Sequence, residues 1–409
     1  MTTISGFKAP STVCRKLENV VFWVTDSADG QAFLVATVTG KHDASETAQV
    51  AYSAIAEVLQ RKGMHIVHER IFGSLSIESE VRHERGIALR TGGIQADGPI
   101  TCVEGRPPWG EGLAGIIIHA VSDSADDVWT IMDGENPCGR GWIRNGLTYL
   151  MLQNIQGQAG TRLGQVRRMF ERTERLLRDN GASYKNVVRT WLYLSEILDW
   201  YPDFNKARSE KYGEFGIMPG PGDTRLLLPA STGIGADTPS GAAASMDLLA
   251  VVENGDMTSP VRKLTSRKQL DAFRYGAAFS RGAFIKEDNV SLLQVSGTAA
   301  IDEHGVSLHP GDIRSQIKCT FDKVEALLNQ EGADLSNIAA ATVFVKRPEY
   351  ASLFWEMAAE RGLMDFPAVC VVADVCREEL LFEIDAEAAV RKEPTCVSSR
   401  SSSSFVCPS

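Results

Sequence analysis

Residues 332–345, GADLSNIAAATVFV, repeat the pattern of residues 181–194, GASYKNVVRTWLYL, and this repeat determines the predicted fold. In each stretch an asparagine, Asn186 or Asn337, lies five residues after the glycine and precedes a run of β-branched and aromatic residues. Such a run is typical of a β-strand. Residues 63–75, GMHIVHERIFGSL, have the same shape with a weaker signal. Because one pattern recurs, the sequence predicts three diverged copies of a single unit.

An amphipathic helix is predicted before each of the three glycines. Apolar residues spaced by three and four positions form one stripe along each helix, and a glycine just after the end suits a left-handed cap. The three stripes are Ala51, Ile55, Val58 and Leu59; Val166, Phe170, Thr173 and Leu177; and Ile313, Ile317, Phe321, Val324 and Leu328. With the neighbouring strands, each unit has the order strand–strand–helix–strand–helix–strand. In the first copy no second helix is evident between Gly73 and Gly98.

Each copy ends in a proline followed by an apolar strand. The prolines are Pro99, Pro229 and Pro367, and the strands that follow contain IIIHAV, MDLLAV and FEIDAEA. The strands align on three alanines, Ala120, Ala250 and Ala386. This alignment gives one equivalent position to three different residues, Ile117, Asp247 and Glu383. The copies are therefore expected to have specialised unequally.

The sequence predicts an α/β (α+β) fold of three tandem units that pack as a pseudo-trimer, because closed symmetry lets similar units satisfy their shared faces. The predicted units are residues 15–125, 126–255 and 270–391, and the third carries the predicted active site. A Ser-rich segment at 392–409 is expected to be a disordered tail. We expect either a monomeric pseudo-trimer or a low-order homo-oligomer.

The composition excludes several classes of partner. The chain has 409 residues, of which 44% are hydrophobic, and a formal net charge of −10 without a basic stripe. Nucleic acid is therefore not an expected partner, since phosphate binding needs clustered lysines and arginines. No apolar run reaches the roughly 18 residues that a membrane span requires. A small carboxylated substrate remains suitable, because a few local arginines can bind it inside an acidic protein.

The cysteines and the N-terminal residues indicate the compartment. The eight cysteines show no CxxC or Cys/His ligand spacing, and residues 1–20 lack the apolar run of a secretory signal. We therefore expect a cytoplasmic protein with reduced thiols and without a metal site or another cofactor.

Three motifs of the third unit carry a resemblance to a known family: VSGTAAID at 295–302, FVKRPEY at 344–350 and PAVCVVADVCREELLFEIDAEA at 367–388. Together they resemble the Rid (YjgF-type) superfamily, whose members are small α/β proteins that form trimers with ligand sites between subunits. Residues 373–384, ADVCREELLFEI, look most similar to the chorismatases. Those are multi-unit Rid-fold enzymes that convert chorismate to hydroxybenzoates or dihydrodiols with loss of pyruvate.

Two features depart from these families. Rid deaminases carry an arginine two residues after the proline of the last strand pair, where it binds the substrate carboxylate. This sequence has Thr101, Ser231 and Val369 at that place in its three copies. A standard enamine or imine deaminase is therefore disfavoured. In the middle unit, GIMPGPGD at 216–223 replaces an arginine-rich segment expected of a chorismatase, which leaves room for a different small substrate.

The resemblance implies that Glu383 is the general acid that protonates the substrate. A carboxyl group on the apolar strand LLFEIDA is desolvated, which raises its pKa; the alternative is an exposed glutamate on a solvent face. Arg377 would bind a substrate carboxylate through two parallel hydrogen bonds, or form a surface salt bridge with Glu378 or Glu379. Cys376 has the spacing that the resemblance associates with hydroxybenzoate formation and a participating thiol; the alternative is a small buried apolar residue.

Two further groups of candidate binding residues lie in the third and second units. Ser296, Gly297 and Thr298 form a tight step after a strand, and their backbone N–H groups and hydroxyls could hold an oxyanion. In the middle unit, aromatic and arginine side chains suit a planar anionic ligand by stacking and ion pairing, or form a packing seam between units. These residues are Arg189, Trp191 and Tyr193, which alternate on one strand, with Tyr201, Arg208, Tyr212 and Arg225.

The leading hypothesis is a cofactor-independent, chorismatase-like lyase or hydrolase of secondary metabolism that acts on chorismate or a similar carboxylated metabolite. The first alternative is another Rid-type reaction, such as the hydrolysis of an enamine or imine. The second alternative is a pseudo-trimer that binds a ligand without catalysis.

Overall fold

The structure, a computed structural model, describes residues 10–27, 30–122, 127–220, 226–254, 260–266, 273 and 276–391. Within them the chain forms three units, each with one sheet and two helices. The first unit contains β1 (Ser11–Leu17), β2 (Val20–Asp26), β3 (Gln31–Val38), α1 (Ala44–Lys62), β4 (His65–Gly73), α2 (Glu78–Thr91), β5 (Thr101–Glu104) and β6 (Leu113–Val121). The second contains β7 (Val128–Asp133), β8 (Asn136–Arg144), β9 (Leu147–Gln156), α3 (Arg162–Asp179), β10 (Val187–Leu194), α4 (Ile197–Glu214), β11 (Ala230–Gly235) and β12 (Ala244–Glu253). The third contains β13 (Val261–Leu264), β14 (Gly282–Lys286), β15 (Val290–Ala299), α5 (Ile313–Leu328), β16 (Ile338–Val345), α6 (Tyr350–Glu360), β17 (Ala368–Val372) and β18 (Phe382–Arg391).

The three sheets share one topology, which confirms the predicted repeat and fold class. Each has six strands, in the orders β1-β2-β3-β6-β4-β5, β11-β10-β12-β9-β8-β7 and β13-β14-β15-β18-β16-β17. In each sheet one pair is parallel (β4–β5, β10–β11 or β16–β17) and the other pairs are antiparallel. The tail predicted at 392–409 lies outside the described residues, and the predicted domain boundaries stay a prediction. Among the described helices, none is both long and apolar enough to cross a membrane.

Local capping explains why a glycine and an asparagine recur in the copies. Gly63, Gly181 and Gly332 have φ angles of 61°, 75° and 73°, the left-handed conformation that ends a helix at low cost. Asn186 and Asn337 each accept a hydrogen bond from the backbone N–H three residues earlier, at 3.0 and 2.9 Å. That bond closes a short 3₁₀ turn, from which β10 and β16 begin.

The first unit does have a second helix, α2, which the sequence pattern did not reveal. Its buried residues are Val81, Arg85, Gly86 and Leu89, so an arginine and a glycine interrupt the apolar stripe. The Arg85 guanidinium is buried because it donates to the carboxylate of Glu69 at 2.7 to 2.9 Å. A helix that buries an ion pair escapes a search based on hydrophobic periodicity.

The helices cover the outer face of each sheet, and the inner faces of the three sheets meet in one central core. Strand β18 shows this division, since Phe382 and Ile384 pack under the helices of their own unit. Glu383, Asp385 and Glu387 alternate with them and face the other units. Large aromatic side chains from all three units fill the central core, among them Trp23, Trp142, Trp191 and Phe344.

A ring of backbone hydrogen bonds surrounds the pseudo-threefold axis. Each unit donates one bond from the end of its parallel strand pair to the following unit, and all three bonds are 2.8 Å long. The bonds run from Glu104 N to Asp237 O, from Gly235 N to Asp374 O and from Val372 N to Arg106 O. Because the third unit donates back to the first, the ring closes, and the predicted pseudo-trimer is confirmed.

A buried carboxyl group joins the first unit to the second. Asp247 accepts hydrogen bonds from Thr101 Oγ1 at 2.6 Å and from the N–H of Asn154 at 2.8 Å. His68 Nε2 lies 2.9 Å from the other carboxyl oxygen. Two of the three partners belong to the neighbouring unit, so this carboxyl group is satisfied only when the units are packed together.

The strand register corrects one predicted equivalence. Asp247 pairs with Trp191, which lies five residues after Asn186. Asp385 pairs with Thr342, which lies five residues after Asn337. The equivalent residues are therefore Ile117, Asp247 and Asp385, whereas Glu383 corresponds to Ser245. The predicted alignment was wrong by two residues in the third unit. A shift of two keeps every side chain on its face, so the hydrophobic pattern alone did not fix the register.

Replacing Asp247 by alanine is expected to destabilise the fold by about 3 kcal/mol, because the donors to its carboxyl group are left buried without an acceptor. Urea unfolding followed by circular dichroism measures this change. Asp199→Ala is the control: Asp199 is exposed, lies 3.9 Å from Arg162 and should contribute less than about 1 kcal/mol. Equal effects of the two substitutions would contradict the joining role of Asp247.

Candidate active site

A cleft of about 790 Å³ lies between the second and third units. Helix α4 and strand β11 of the second unit form one wall. Strands β15 and β18, with the loop before β18, form the other wall. The side chains that line the cleft include Tyr201, Asn205, Arg208, Phe279, Arg281, Cys376, Arg377 and Glu383.

Glu383 reaches the cleft beside a β-bulge in β15. The pairing of β15 with β18 shifts between Val295 and Thr298, so that Ser296 and Gly297 form the bulge. A Cβ atom on Gly297 would lie 2.1 Å from Glu383 Oε1. Glycine is therefore required at this position for the carboxyl group to occupy its place.

The carboxyl group of Glu383 is buried without a hydrogen-bond donor from the described part of the chain. The residue is 5% exposed. Burial, followed by the negative charge of Asp385, raises the pKa of Glu383 to about 8, while Arg189 and Arg281 oppose the rise. The carboxyl group is therefore largely protonated at neutral pH, the state that a general acid requires.

Three arginines line the same cleft. The guanidinium groups of Arg208 and Arg281 lie 5.7 and 5.3 Å from the centre of the Phe279 ring, and both side chains are buried. Arg208 Nη2 donates to Asn205 Oδ1 at 2.5 Å, and within the described residues its Nε has no acceptor. Arg377 Nη1 donates to a backbone carbonyl oxygen 2.8 Å away. Three guanidinium groups around one cleft suit a ligand with more than one carboxylate.

Cys376 lies at the cleft wall and is half-buried. Burial and the negative charge of Glu383 raise the pKa of its thiol to about 12. The thiol is therefore protonated at neutral pH, so it is a weak hydrogen-bond donor rather than a thiolate nucleophile.

The bulge of β15 does not offer the predicted oxyanion site. The N–H of Gly297 donates to Thr232 Oγ1 of the second unit at 3.1 Å, and the N–H of Ser296 donates to a backbone carbonyl at 3.1 Å. The hydroxyl of Thr298 donates to the carbonyl of Ser296 at 2.8 Å. The predicted oxyanion role was wrong because these donors are already used to hold the bulge and to join two units. Gly297 itself lines the cleft.

The structure separates the aromatic candidates of the middle unit. Tyr201 lines the cleft from α4, close to Arg208. Trp191 and Tyr193 point from β10 into the central core, and Tyr212 packs in the core under the helices of the second unit. The prediction that these three bind the substrate was wrong. The alternation along β10 is real, but the face it defines is covered by the other units.

Arg189 lies behind the cleft rather than in it, which corrects its predicted contact with the substrate. It is fully buried and its Nη2 donates to Thr232 Oγ1 at 2.6 Å and to Asp385 Oδ2 at 3.1 Å. Its influence on Glu383 is electrostatic. The remaining candidate, Arg225, lies outside the described residues.

Four residues in or beside the cleft were not predicted from the sequence: Asn205, Phe279, Arg281 and Asp385. Asp385 had a usable signal, because it alternates with Glu383 on one face of a strand. Phe279 and Arg281 come from the connection before β14, which carries no motif and no periodic pattern. Only the packing of the second unit against the third brings them to the cleft.

The other two seams between units differ from this one at the position of Glu383. The second unit has Ser245 there and the first has Gly115. Strand β3 of the first unit pairs with β6 without a bulge. Between the third and first units, a Cβ atom on Gly115 would lie 2.7 Å from Val369 Cγ2, so an apolar side chain fills the position that corresponds to the Glu383 carboxyl group. The candidate acid is therefore specific to the seam between the second and third units.

Comparisons with known proteins agree with this architecture. Residues 272–390 match the family model described as Endoribonuclease L-PSP, the model of the Rid superfamily. The crystal structure of a chorismatase superposes on 93% of this chain and 99% of its own with a TM-score of 0.59, at 18% identity. The chain has the fold of a chorismatase. The predicted resemblance is thereby confirmed, with three Rid-like units in one chain.

Two relatives from Streptomyces hygroscopicus are similar in sequence. A 3-hydroxybenzoate synthase is 26% identical over 319 residues, which cover 68% of this chain and 86% of that protein. A chorismatase is 27% identical over 277 residues, which cover 61% and 74% of the two chains. Both are named as enzymes, and the prediction of an enzyme of the lyase or hydrolase type is confirmed.

Gly297→Ala is expected to destabilise the protein by about 1 to 3 kcal/mol, because the new Cβ atom overlaps the Glu383 carboxyl group. Urea unfolding measures the change, and Gly213→Ala on α4 is the matched control. A Cβ atom on Gly213 meets nothing within 4 Å, so this variant should be as stable as the parent or slightly more stable. Equal stability of both variants would show that Glu383 does not pack against Gly297.

Proposed function

We propose that this protein converts chorismate, or a closely similar carboxylated enol ether, with release of pyruvate. The observation that carries the proposal is a buried, protonated Glu383 in a cleft that also presents three arginines. The similarity to a named chorismatase and a named 3-hydroxybenzoate synthase supports it.

The chemistry of the substrate requires an acid in the position of Glu383. The methylene carbon of an enol ether is nucleophilic, and the ether oxygen stabilises the cation that forms when this carbon takes a proton. Glu383 gives that proton, and the resulting carboxylate is stabilised by the positive charges of Arg189 and Arg281. Cleavage of the bond between the ring carbon and the ether oxygen, or addition of water to the cation, then releases pyruvate.

The arginines provide the matching anion sites. Chorismate carries two carboxylates, and Arg208, Arg281 and Arg377 present guanidinium groups from both walls of the cleft. Phe279 and Tyr201 add ring faces against which a six-membered carbocycle can pack. Binding from both walls places the substrate across the seam, with its enol ether directed towards the third unit.

Cys376 favours a hydroxybenzoate as the second product. Its spacing from Glu383 follows the hydroxybenzoate-forming chorismatases that the motif resembles, and both side chains line one cleft. Hydroxybenzoate and pyruvate together contain all the atoms of chorismate, so this outcome consumes no net water. A dihydrodiol would take up one water molecule. Chromatography of the products distinguishes the two outcomes.

Glu383→Gln is expected to reduce the release of pyruvate from chorismate by at least about 100-fold, because the amide has no proton of suitable acidity to give. A coupled lactate dehydrogenase assay measures pyruvate. The melting temperature should not fall, because the substitution removes an ionisable group from a buried site without a donor. A variant that keeps its turnover would support ligand binding without catalysis, or an acid elsewhere.

No pyruvate from chorismate with correctly folded parent protein would reject the chorismate reaction itself. The enamine or imine alternative is then examined with 2-iminobutyrate and semicarbazide trapping. We expect no acceleration in that assay, since Thr101, Ser231 and Val369 occupy the places where a Rid deaminase has its carboxylate-binding arginine.

The pH dependence of turnover follows from the raised pKa of Glu383. A general acid acts in its protonated form, so kcat/KM should be level below the pKa of about 8 and fall about tenfold per pH unit above it. Initial rates at low chorismate concentration between pH 6 and 10 measure this profile. An increase of kcat/KM above pH 8 would instead indicate that a deprotonated group is required.

A further inference from the structure

Glu383 and Asp385 form a pair of buried carboxyl groups on one face of β18. They are two residues apart in a strand, which places their backbone positions about 7 Å apart on the same side. Glu383 is 5% exposed and Asp385 is 2% exposed. Two neighbouring buried carboxyl groups do not readily ionise together, because each negative charge disfavours the other.

Hydrogen bonds decide which member of the pair is ionised. Asp385 Oδ2 accepts from Arg189 Nη2 at 3.1 Å and from Thr232 Oγ1 at 2.9 Å. Arg189 Nη2 also donates to Thr232 Oγ1 at 2.6 Å, so guanidinium, hydroxyl and carboxylate form one closed cluster. Glu383 receives no such bond from the described residues. The cluster therefore fixes the negative charge on Asp385 and leaves the proton on Glu383.

We propose that Asp385 is a positioning residue for the proton of Glu383: clamped by Arg189 and Thr232 of the second unit, its negative charge keeps Glu383 in the acid form. This inference rests on the proposed role of Glu383 as general acid. The second unit then contributes to the chemistry of the third, because its Arg189 and Thr232 hold the Asp385 carboxylate next to Glu383.

Thr232 also links the clamp to the position of Glu383. Its Oγ1 accepts the hydrogen bond from the N–H of Gly297 at 3.1 Å and donates to Asp385. Gly297 is the residue against which the Glu383 carboxyl group packs. The Thr232 hydroxyl group therefore binds both the bulge against which Glu383 packs and the Asp385 carboxylate that keeps Glu383 protonated.

The other charged groups around Glu383 act in the opposite direction or lie further along the cleft wall. Arg189 and Arg281 favour the carboxylate form of Glu383. The charged and titratable groups that face it are Asp385 on β18, Arg189 on β10, Tyr201, Lys206 and Arg208 on α4, Arg281 before β14, and Cys376, Arg377, Glu378 and Glu379 in the loop before β18. Removal of the Asp385 charge takes away the repulsion that disfavours the Glu383 carboxylate, while the attraction of the arginines remains. Glu383 should therefore lose its proton at a lower pH.

The test is Asp385→Asn in the full chain, with two measurements of the Glu383 proton. The first is the pH profile of kcat/KM with chorismate. The second is infrared titration of the protonated carboxyl band without substrate, assigned to Glu383 by its loss in Glu383→Gln. We expect both midpoints to fall by about one pH unit, so that kcat/KM at pH 8 falls about fivefold while kcat/KM at pH 6 is nearly retained.

The repeat supplies a matched control in Asp247→Asn. Asp247 occupies the equivalent strand position, is equally buried and is held by His68 and Thr101, but Ser245 stands where the third unit has Glu383. This variant should lose stability to a similar extent and keep both midpoints of the parent protein. A shift of the same size in both variants would overturn the proposal, because the effect would then be one of general destabilisation.

A double variant covers the case in which Asp385→Asn does not fold. Arg189→Gln with Asp385→Asn replaces both buried charges by amides and leaves neither uncompensated. Its midpoint should still lie below that of the parent, because the negative charge beside Glu383 on β18 is gone while Arg281 still favours the carboxylate form. A midpoint equal to or above that of the parent would overturn the proposal.

The two measurements separate the failure of this inference from failure of the proposed function. If the parent protein releases no pyruvate but the infrared midpoint falls in Asp385→Asn alone, the proposed reaction is rejected. The effect of Asp385 on the Glu383 proton is then still supported. If pyruvate is released and the midpoint of Asp385→Asn equals that of the parent, the reaction stands and the role of Asp385 is wrong.

Discussion

The arrangement of the three units depends on buried carboxyl groups that take hydrogen-bond partners from a neighbouring unit. Asp385 is bound by Arg189 of the second unit, and Glu387 lies 3.2 Å from Arg70 of the first. Asp247 is bound in turn by the first unit. A buried carboxylate without donors is costly, so a unit that carries one is stable only when its neighbour is in place. Hydrophobic packing in the central core brings the sheets together, and these pairs define how they are oriented.

The same constraint explains why one seam became a candidate active site. In the seam between the first and second units, Asp247 accepts hydrogen bonds from Thr101 and Asn154 and lies 2.9 Å from His68, and Ser245 occupies the neighbouring position. In the third unit the equivalent Asp385 is also satisfied, but Glu383 adds a second carboxyl group beside it. The available donors serve one of the two, and the other stays protonated. The third unit thus has a structural ion pair, Asp385 with Arg189, and a candidate acid, the additional carboxyl group of Glu383.

Much of the fold could be predicted because its signals are local. Gly181 and Gly332 end helices whose apolar stripes are visible in the sequence, and the strands after Asn186 and Asn337 are rich in β-branched and aromatic residues. These features depend on neighbours along the chain, and they recur in tandem. The helix α2 escaped because its inner face carries Arg85, whose partner Glu69 comes from another strand. A periodic search recognises apolar faces and not buried ion pairs.

The sequence by itself determined the three units, the Rid-like third unit, and Glu383, Cys376 and Arg377 as residues of one short motif. Tertiary structure alone decided that the cleft lies between two units, that Arg281 enters it, and that Arg189 stands behind it. The physical reason is the range of the interactions. Capping and periodicity act over a few residues, whereas a buried charge takes its partner, and its pKa, from whichever chain segment packs against it.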